Sequence, residues 1–198
     1  METDSLIYAC AKSGLSTRAE YWLALLISDG RKPDVRTYNS VISACATAGD
    51  QGRALFWFSE MQRAECSVNQ VTYGSMIAAS AVVGDVTLAE QLMEEMDARD
   101  LPPNLVCYNT MLRACAQSND HVRAWIWFSK MEAAGLIPNY TSEKYMEDVC
   151  ANFGRSTSRD AMLDELISGG VLLGSPAFKI CRSFAGLQKK RKRASGTK

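Results

Sequence analysis

The chain has 198 residues, 47% hydrophobic and 22% charged, which is enough apolar content to bury a sizeable core and too much for a disordered chain. Its 22 basic and 22 acidic residues balance to a formal net charge of zero, so the basic excess that usually marks a nucleic-acid binder is missing. No uninterrupted apolar run approaches the ~18 residues that a membrane-spanning helix needs, so no membrane partner is expected.

The first fifteen residues, METDSLIYACAKSGL, show neither the basic flank and cleavage site of a secretory signal nor the Arg-rich, acid-poor character of a transit peptide. From there a period of 35 residues governs the chain: Ala11, Ala46, Ala81, Ala116 and Ala151 stand at equal steps. Ile7, Ile42, Ile77 and Leu112 keep the same period, as do Ala19, Ala54, Ala89 and Ala124, Met61, Met96 and Met131, and Pro33, Pro103 and Pro138. Such a period signals a solenoid whose repeats bury their apolar faces by stacking on one another. The first repeat begins part-way through its phase, as expected of a piece of a longer chain.

Each repeat reads as two short helices. In the second, Tyr38, Val41, Ile42 and Cys45 fall at helical spacing, and after Gly49-Asp50 a second helix places Ala54, Leu55, Phe58 and Met61 on one stripe. The glycine suits the left-handed conformation just past a helix end, and the aspartate accepts from amides at the next helix start. Gly84-Asp85 and Asn119-Asp120 repeat the device. Proline-bearing loops, Lys32-Pro33-Asp34, Pro102-Pro103-Asn104 and Ile137-Pro138-Asn139, are expected to stop the second helices. The predicted fold is all-α, an α-solenoid of stacked helix-turn-helix hairpins over residues 1–174, in repeats 1–34, 35–69, 70–104, 105–139 and 140–174. Residues 175–198 form a closing segment, with a short helix from Pro176 to Leu187, and a disordered basic tail.

Cys10, Cys45, Cys115 and Cys150 share one phase, with Ser80 in the remaining slot, and read as small packing residues. Cys66, Cys107 and Cys181 are out of phase. There is no CxxC pair, and His121 is the only histidine, so no metal or other cofactor is expected. Catalysis finds no support either, since no triad or deaminase signature occurs and Glu94, Glu95 and Asp97 read as a solvated helix face. Trp22, Trp57 and Trp127 share a packing phase. Trp125 does not, and it is expected on the outer, convex side as a candidate protein contact.

The segments PDVRTYNSVISACATAGD, VTYGSMIAASAVVGD and NLVCYNTMLRACAQSND, followed by helices ending FSEM, MEEM and FSKM, resemble pentatricopeptide repeats. The rival tetratricopeptide repeat has a period of about 34 residues, which would drift out of phase here, and its Trp-Leu-Gly-Tyr signature is absent. The resemblance implies single-stranded RNA as partner, with one base per repeat read by two or three side chains. It implies that the base is selected by the residue after the first-helix tyrosine together with the last residue of the repeat. These pair as Asn39 with Asn69, Gly74 with Asn104, and Asn109 with Asn139, and a side-chain amide has both donors and an acceptor for a Watson-Crick edge. By the same resemblance, two asparagines favour a pyrimidine, cytosine more than uracil, and Gly74 selects weakly. Arg36, Val71 and Val106, with Thr141 in the same phase, are implied to sandwich the bases. Two readings of the asparagines stand side by side, base reading and plain capping of helix starts.

The terminal repeats fit less well. Asp4 and Asp34 would confront RNA in the first, Glu143 replaces the tyrosine of the fifth, and Lys144 and Gly174 fill its selecting slots, so both read as capping repeats. Lys12 alone fills the phosphate-binding phase, and the remaining cations are concentrated in Lys189, Lys190, Arg191, Lys192 and Arg193. The expected function is an RNA-binding adaptor in organellar RNA processing, stability or translation. The alternatives are a protein-binding helical scaffold, such as an organellar ribosome component, and the repeat module of a larger RNA-processing enzyme. Mitochondrion or chloroplast follows from the resemblance, and the basic tail adds a nuclear import signal as an alternative.

Overall fold

The computed structural model describes residues 2–156. Among the described residues there are nine helices and no strand: α1 (Glu2–Lys12), α2 (Ser16–Ser28), α3 (Val35–Thr47), α4 (Gln51–Arg63), α5 (Gln70–Val83), α6 (Val86–Ala98), α7 (Leu105–Ser118), α8 (His121–Ala133) and α9 (Tyr140–Ser156). Two compact units divide between Pro103 and Asn104. The first holds the hairpins α1–α2, α3–α4 and α5–α6, with α1 packed on α3 and α3 on α5, while α2 and α4 each pack on their own first helix and on the next one. The second repeats this arrangement with α7, α8 and α9. The expected closing segment, basic tail and most of the fifth repeat lie outside the described residues.

The 35-residue phase is a phase of burial. Ile7, Ile42, Ile77 and Leu112 are fully buried, as are Ala19, Ala54, Ala89 and Ala124 on the second helices and Met61, Met96 and Met131 near their ends. A methyl group at each alanine lets the paired helices approach closely, and the longer residues fill the space between successive hairpins. Ala46 and Ala81 are buried, whereas Ala11, Ala116 and Ala151 are only partly covered. Leu55, expected on the inner stripe of α4, is exposed because the helix turns it past the seam formed by Ala54, Phe58 and Met61.

The turn inside each hairpin is built as the sequence predicts. Gly49, Gly84 and Asn119 take positive φ angles of 77°, 73° and 57°. The next aspartate then caps the second helix: Asp50 accepts from the Arg53 amide at 3.0 Å, Asp85 from Leu88 at 3.1 Å and Asp120 from Arg123 at 3.1 Å.

The exits of the second helices differ from the expectation. The helices end several residues before the prolines, at Ser28, Ala98 and Ala133, each followed by a left-handed residue. Gly30, Glu65, Asp100 and Gly135 hold these positions. The amide that follows each of them turns back to a carbonyl five residues earlier, as from Leu101 to Met96 at 3.1 Å and from Leu136 to Met131 at 3.1 Å. Proline only directs the strand of chain that follows. Glu65 and Asp100 adopt this conformation at a steric cost of about 1 kcal/mol. Replacing either with glycine removes the strain and adds freedom to the unfolded chain, for a net gain of roughly 0.5 kcal/mol. Glu65→Gly and Asp100→Gly are each expected to raise the thermal midpoint by about 2 °C, read by circular dichroism.

Candidate nucleic-acid interface

Every first helix begins with backbone amides that have no partner inside the helix. The residue before it, the last of the preceding repeat, supplies one. Asn69 Oδ1 accepts from the amides of Val71 at 3.0 Å and Thr72 at 3.1 Å, and Asn104 Oδ1 accepts from Val106 at 3.0 Å and Cys107 at 3.1 Å. Asn139 Oδ1 accepts from Ser142 at 3.0 Å, and Asp34 Oδ1 from Thr37 at 2.7 Å. Capping and base selection thus fall on the same side chains, and the two readings of the sequence do not exclude one another.

Within the first compact unit, the sequence-predicted pair Asn39 and Asn69 is in contact, with Asn39 Nδ2 donating to Asn69 Oδ1 at 3.3 Å. Within the second unit Asn109 Nδ2 donates to Asn139 Oδ1 at 3.2 Å. A third group, which the sequence reading missed, completes each pair: the Thr72 hydroxyl donates to Asn39 Oδ1 at 2.6 Å, and the Ser142 hydroxyl to Asn109 Oδ1 at 2.5 Å. The available signal was a hydroxyl residue recurring 33 positions after the amide. These bonds draw on the amide oxygens and tilt each pair from the mixed set of a free asparagine side chain toward its N–H donors. Gly74 lies on α5 with open space where a Cβ would stand, so packing does not require a glycine there. Asn104 opens the second unit.

Val71 and Val106 occupy the second positions of α5 and α7 and are 63% and 67% exposed. Arg36 holds the same position on α3 and is exposed, as is Thr141 on α9. Lys12 is exposed in the last turn of α1 with its ammonium 5.8 Å from the Tyr8 ring. Lys189, Lys190, Arg191, Lys192 and Arg193 lie outside the described residues, as do Gly174 and Cys181.

The first repeat carries the opposite polarity. Thr37 Oγ1 stands 3.1 Å from Asp4 Oδ1 and 2.7 Å from Asp34 Oδ1, and Arg31 pairs with Asp4. Burial works to raise the Asp34 pKa, but hydrogen bonds from the Thr37 hydroxyl and from the Thr37 and Arg36 amides outweigh it and hold the carboxyl below its ordinary value of 3.8. A lowered folded pKa means that the cap contributes fully above pH ~4 and fades as the pH falls through the folded value. Asp34→Ala is expected to cost about 1 kcal/mol at pH 7, and the deficit against the parent should shrink only in acid, as measured by urea unfolding across pH.

Other candidates resolve as packing. Cys45, Cys115 and Cys150 are buried and Cys10 is half-buried, while Cys107 is buried and Cys66 half-buried. Burial first, and then the neighbouring Glu20 carboxylate, push the Cys45 thiol up to about 12, so it stays protonated. Glu20 in turn is held by Arg53, whose Nε donates to it at 2.6 Å. Trp57 and Trp127 are buried and Trp22 is half-buried. Trp125 is also buried, at 1% exposure, which corrects its assignment to an outer protein-binding surface. The equivalent position varies from repeat to repeat, since Leu55 on α4 is 37% exposed while Glu20 on α2 is buried. Trp125→Ala is therefore expected to cost about 3–5 kcal/mol of stability in denaturant titrations, where a surface contact residue would cost almost nothing. Among the described residues no three His, Cys, Asp or Glu side chains converge to hold a metal ion. None of the described helices is long and apolar enough to cross a membrane.

A family model described as the pentacotripeptide-repeat region of PRORP matches residues 6–172. The chain belongs to the pentatricopeptide repeat family. No curated protein sequence matches it. Among solved structures, it is similar to the pentatricopeptide repeat protein PPR10 of maize in complex with an 18-nt psaJ RNA element, at 20% identity and a TM-score of 0.71. That likeness covers 98% of this chain and 29% of PPR10. It is also similar to the PPR domain of Arabidopsis thaliana protein-only RNase P 1 in complex with tRNA, at 15% identity and a TM-score of 0.68, over 91% of this chain and 95% of that domain. Nuclear proteinaceous RNase P 2 of A. thaliana gives 16% identity and a TM-score of 0.68, over 92% of this chain and 41% of the enzyme. At these identities the likeness establishes the shared helical repeat fold of the pentatricopeptide family.

Proposed function

We propose that this chain binds single-stranded RNA, and that its repeats hold an RNA as part of an adaptor in organellar RNA processing, stability or translation. The observation that carries the reading is the paired amides of Asn39 with Asn69 and Asn109 with Asn139, each formed between the first helix of a repeat and that repeat's last residue. Val71 and Val106, exposed at the starts of α5 and α7, supply apolar surface against which a base stacks. Arg36 adds a flat cation of the kind that stacks on bases. Each amide pair takes one pyrimidine, and Gly74, which has no side chain, selects little. The RNA-bound states of PPR10 and of the RNase P 1 repeat domain support the same reading.

A second reading places this array as the RNA-holding module of a larger RNA-processing enzyme. The match to a repeat region described from PRORP favours it, as does the likeness to 41% of a proteinaceous RNase P. In both readings the described residues bind and orient, and any chemistry comes from elsewhere. The scaffold alternative loses the residue on which it was founded, because Trp125 is buried.

Selection from a randomised single-stranded RNA pool is expected to enrich a pyrimidine-any-pyrimidine core. Asn39→Ala with Asn109→Ala should lower affinity for that core about tenfold or more and erase the preference, with helical content by circular dichroism unchanged. An unaltered selection profile in the double variant would remove base reading by these residues.

A further inference from the structure

We propose that Thr72 and Ser142 are positioning residues that fix the polarity of the asparagine amides in the preceding repeat, so that Asn39 and Asn109 offer an N–H and not a carbonyl to the base. The inference rests on the base-reading assignment above and adds a residue and a direction to it.

The argument starts at the N-terminus of α5. The Val71 and Thr72 amides are donors, so the Asn69 atom they meet is its oxygen. The Asn39 atom beside that oxygen, at 3.3 Å, is therefore nitrogen, which turns Asn39 Oδ1 toward Thr72. The Thr72 hydroxyl has one proton and two acceptors in reach, Asn39 Oδ1 at 2.6 Å and Asn69 Oδ1 at 3.1 Å; the shorter contact takes it, while a lone pair accepts the Asn69 backbone amide at 3.2 Å. The loop of bonds closes on itself. Flipping the Asn39 amide would set oxygen against oxygen and leave the hydroxyl facing an NH2 group.

Asn109, Asn139 and Ser142 form the same loop in the second compact unit. Asn109 Nδ2 donates to Asn139 Oδ1 at 3.2 Å, Ser142 Oγ to Asn109 Oδ1 at 2.5 Å, and the Asn139 amide to Ser142 Oγ at 3.2 Å. Two independent copies with the same donor order argue against coincidence. At the phase-equivalent positions 74 and 107 the sequence has Gly and Cys, whereas in the first repeat the hydroxyl of Thr37 is kept and meets the Asp4 carboxylate in place of an amide.

With Asn69 and Asn139 Oδ1 held by backbone amides and Asn39 and Asn109 Oδ1 each turned toward a hydroxyl, the N–H groups left on each pair suit a base edge made of acceptors. Cytosine presents acceptors at O2 and N3, whereas uracil has a donor at N3. The hydroxyl thus sets the discrimination between the two pyrimidines without touching the RNA.

The test compares affinities of the full chain for single-stranded RNAs that carry either cytosine or uracil at the two read positions. The parent is expected to prefer cytosine. Thr72→Val with Ser142→Ala should reduce the cytosine-to-uracil ratio roughly fivefold, and Thr72→Ser with Ser142→Thr should keep it. A ratio unchanged in the first variant overturns the proposal. Side-chain amide signals of Asn39 and Asn109 in ¹⁵N NMR of the free protein give a readout that needs no RNA. They should move in Thr72→Val with Ser142→Ala, and immobile signals overturn the positioning role even if base reading holds. A parent that binds neither RNA overturns base reading itself, whatever those signals do.

Discussion

The unpaired backbone amides at the start of each first helix are the constraint on which this chain depends. Water can satisfy such amides at an exposed end, but in these helices the last residue of the preceding repeat brings an oxygen. Asn69, Asn104, Asn139 and Asp34 do so. This need fixes the side chain that joins one repeat to the next, and it sets the direction of the Asn39 and Asn109 amides. A local rule of helix termination therefore becomes the chemical polarity of the proposed RNA-reading surface.

The apolar stacking leaves that surface free to differ from repeat to repeat. Ile42, Ile77, Ala54, Ala89, Met61 and Met96 carry the burial that holds the hairpins together, and none of them lies among the asparagine pairs. Glu20, drawn into the packing, is matched by both the Arg53 guanidinium and the Cys45 thiol. Reading positions can then change, from two asparagines to Gly74 or to the carboxylates Asp4 and Asp34, without disturbing the stack. The carboxylates of the first repeat present acceptors and negative charge, the reverse of what the asparagine pairs present, which fits an end repeat that reads no base.

Electrostatics has a small part in this arrangement. A formal net charge of zero gives no long-range attraction for phosphate, and among the described residues Lys12 and Arg36 are the sequence-predicted cations on the proposed surface. Affinity in the proposed function then rests on stacking and hydrogen bonding to bases more than on counterion release.

The sequence by itself determined the helical hairpins, their 35-residue period and the turn chemistry of Gly49-Asp50 and its equivalents. All of these depend on spacing along the chain, where helical periodicity and backbone preference act within a few residues. The tertiary structure decided what depends on neighbours distant in sequence. The left-handed exits at Glu65 and Asp100 carry no glycine to mark them in the sequence, and it is the fold that shows the bonds from the Cys66 amide to Met61 and from the Leu101 amide to Met96 closing around them. Trp125 looked like a surface residue because its phase breaks the repeat, yet it is covered where the equivalent Leu55 is open. Thr72 and Ser142 passed as ordinary helix-start residues, because the bond that gives them a role spans 33 positions and forms only when successive hairpins stack.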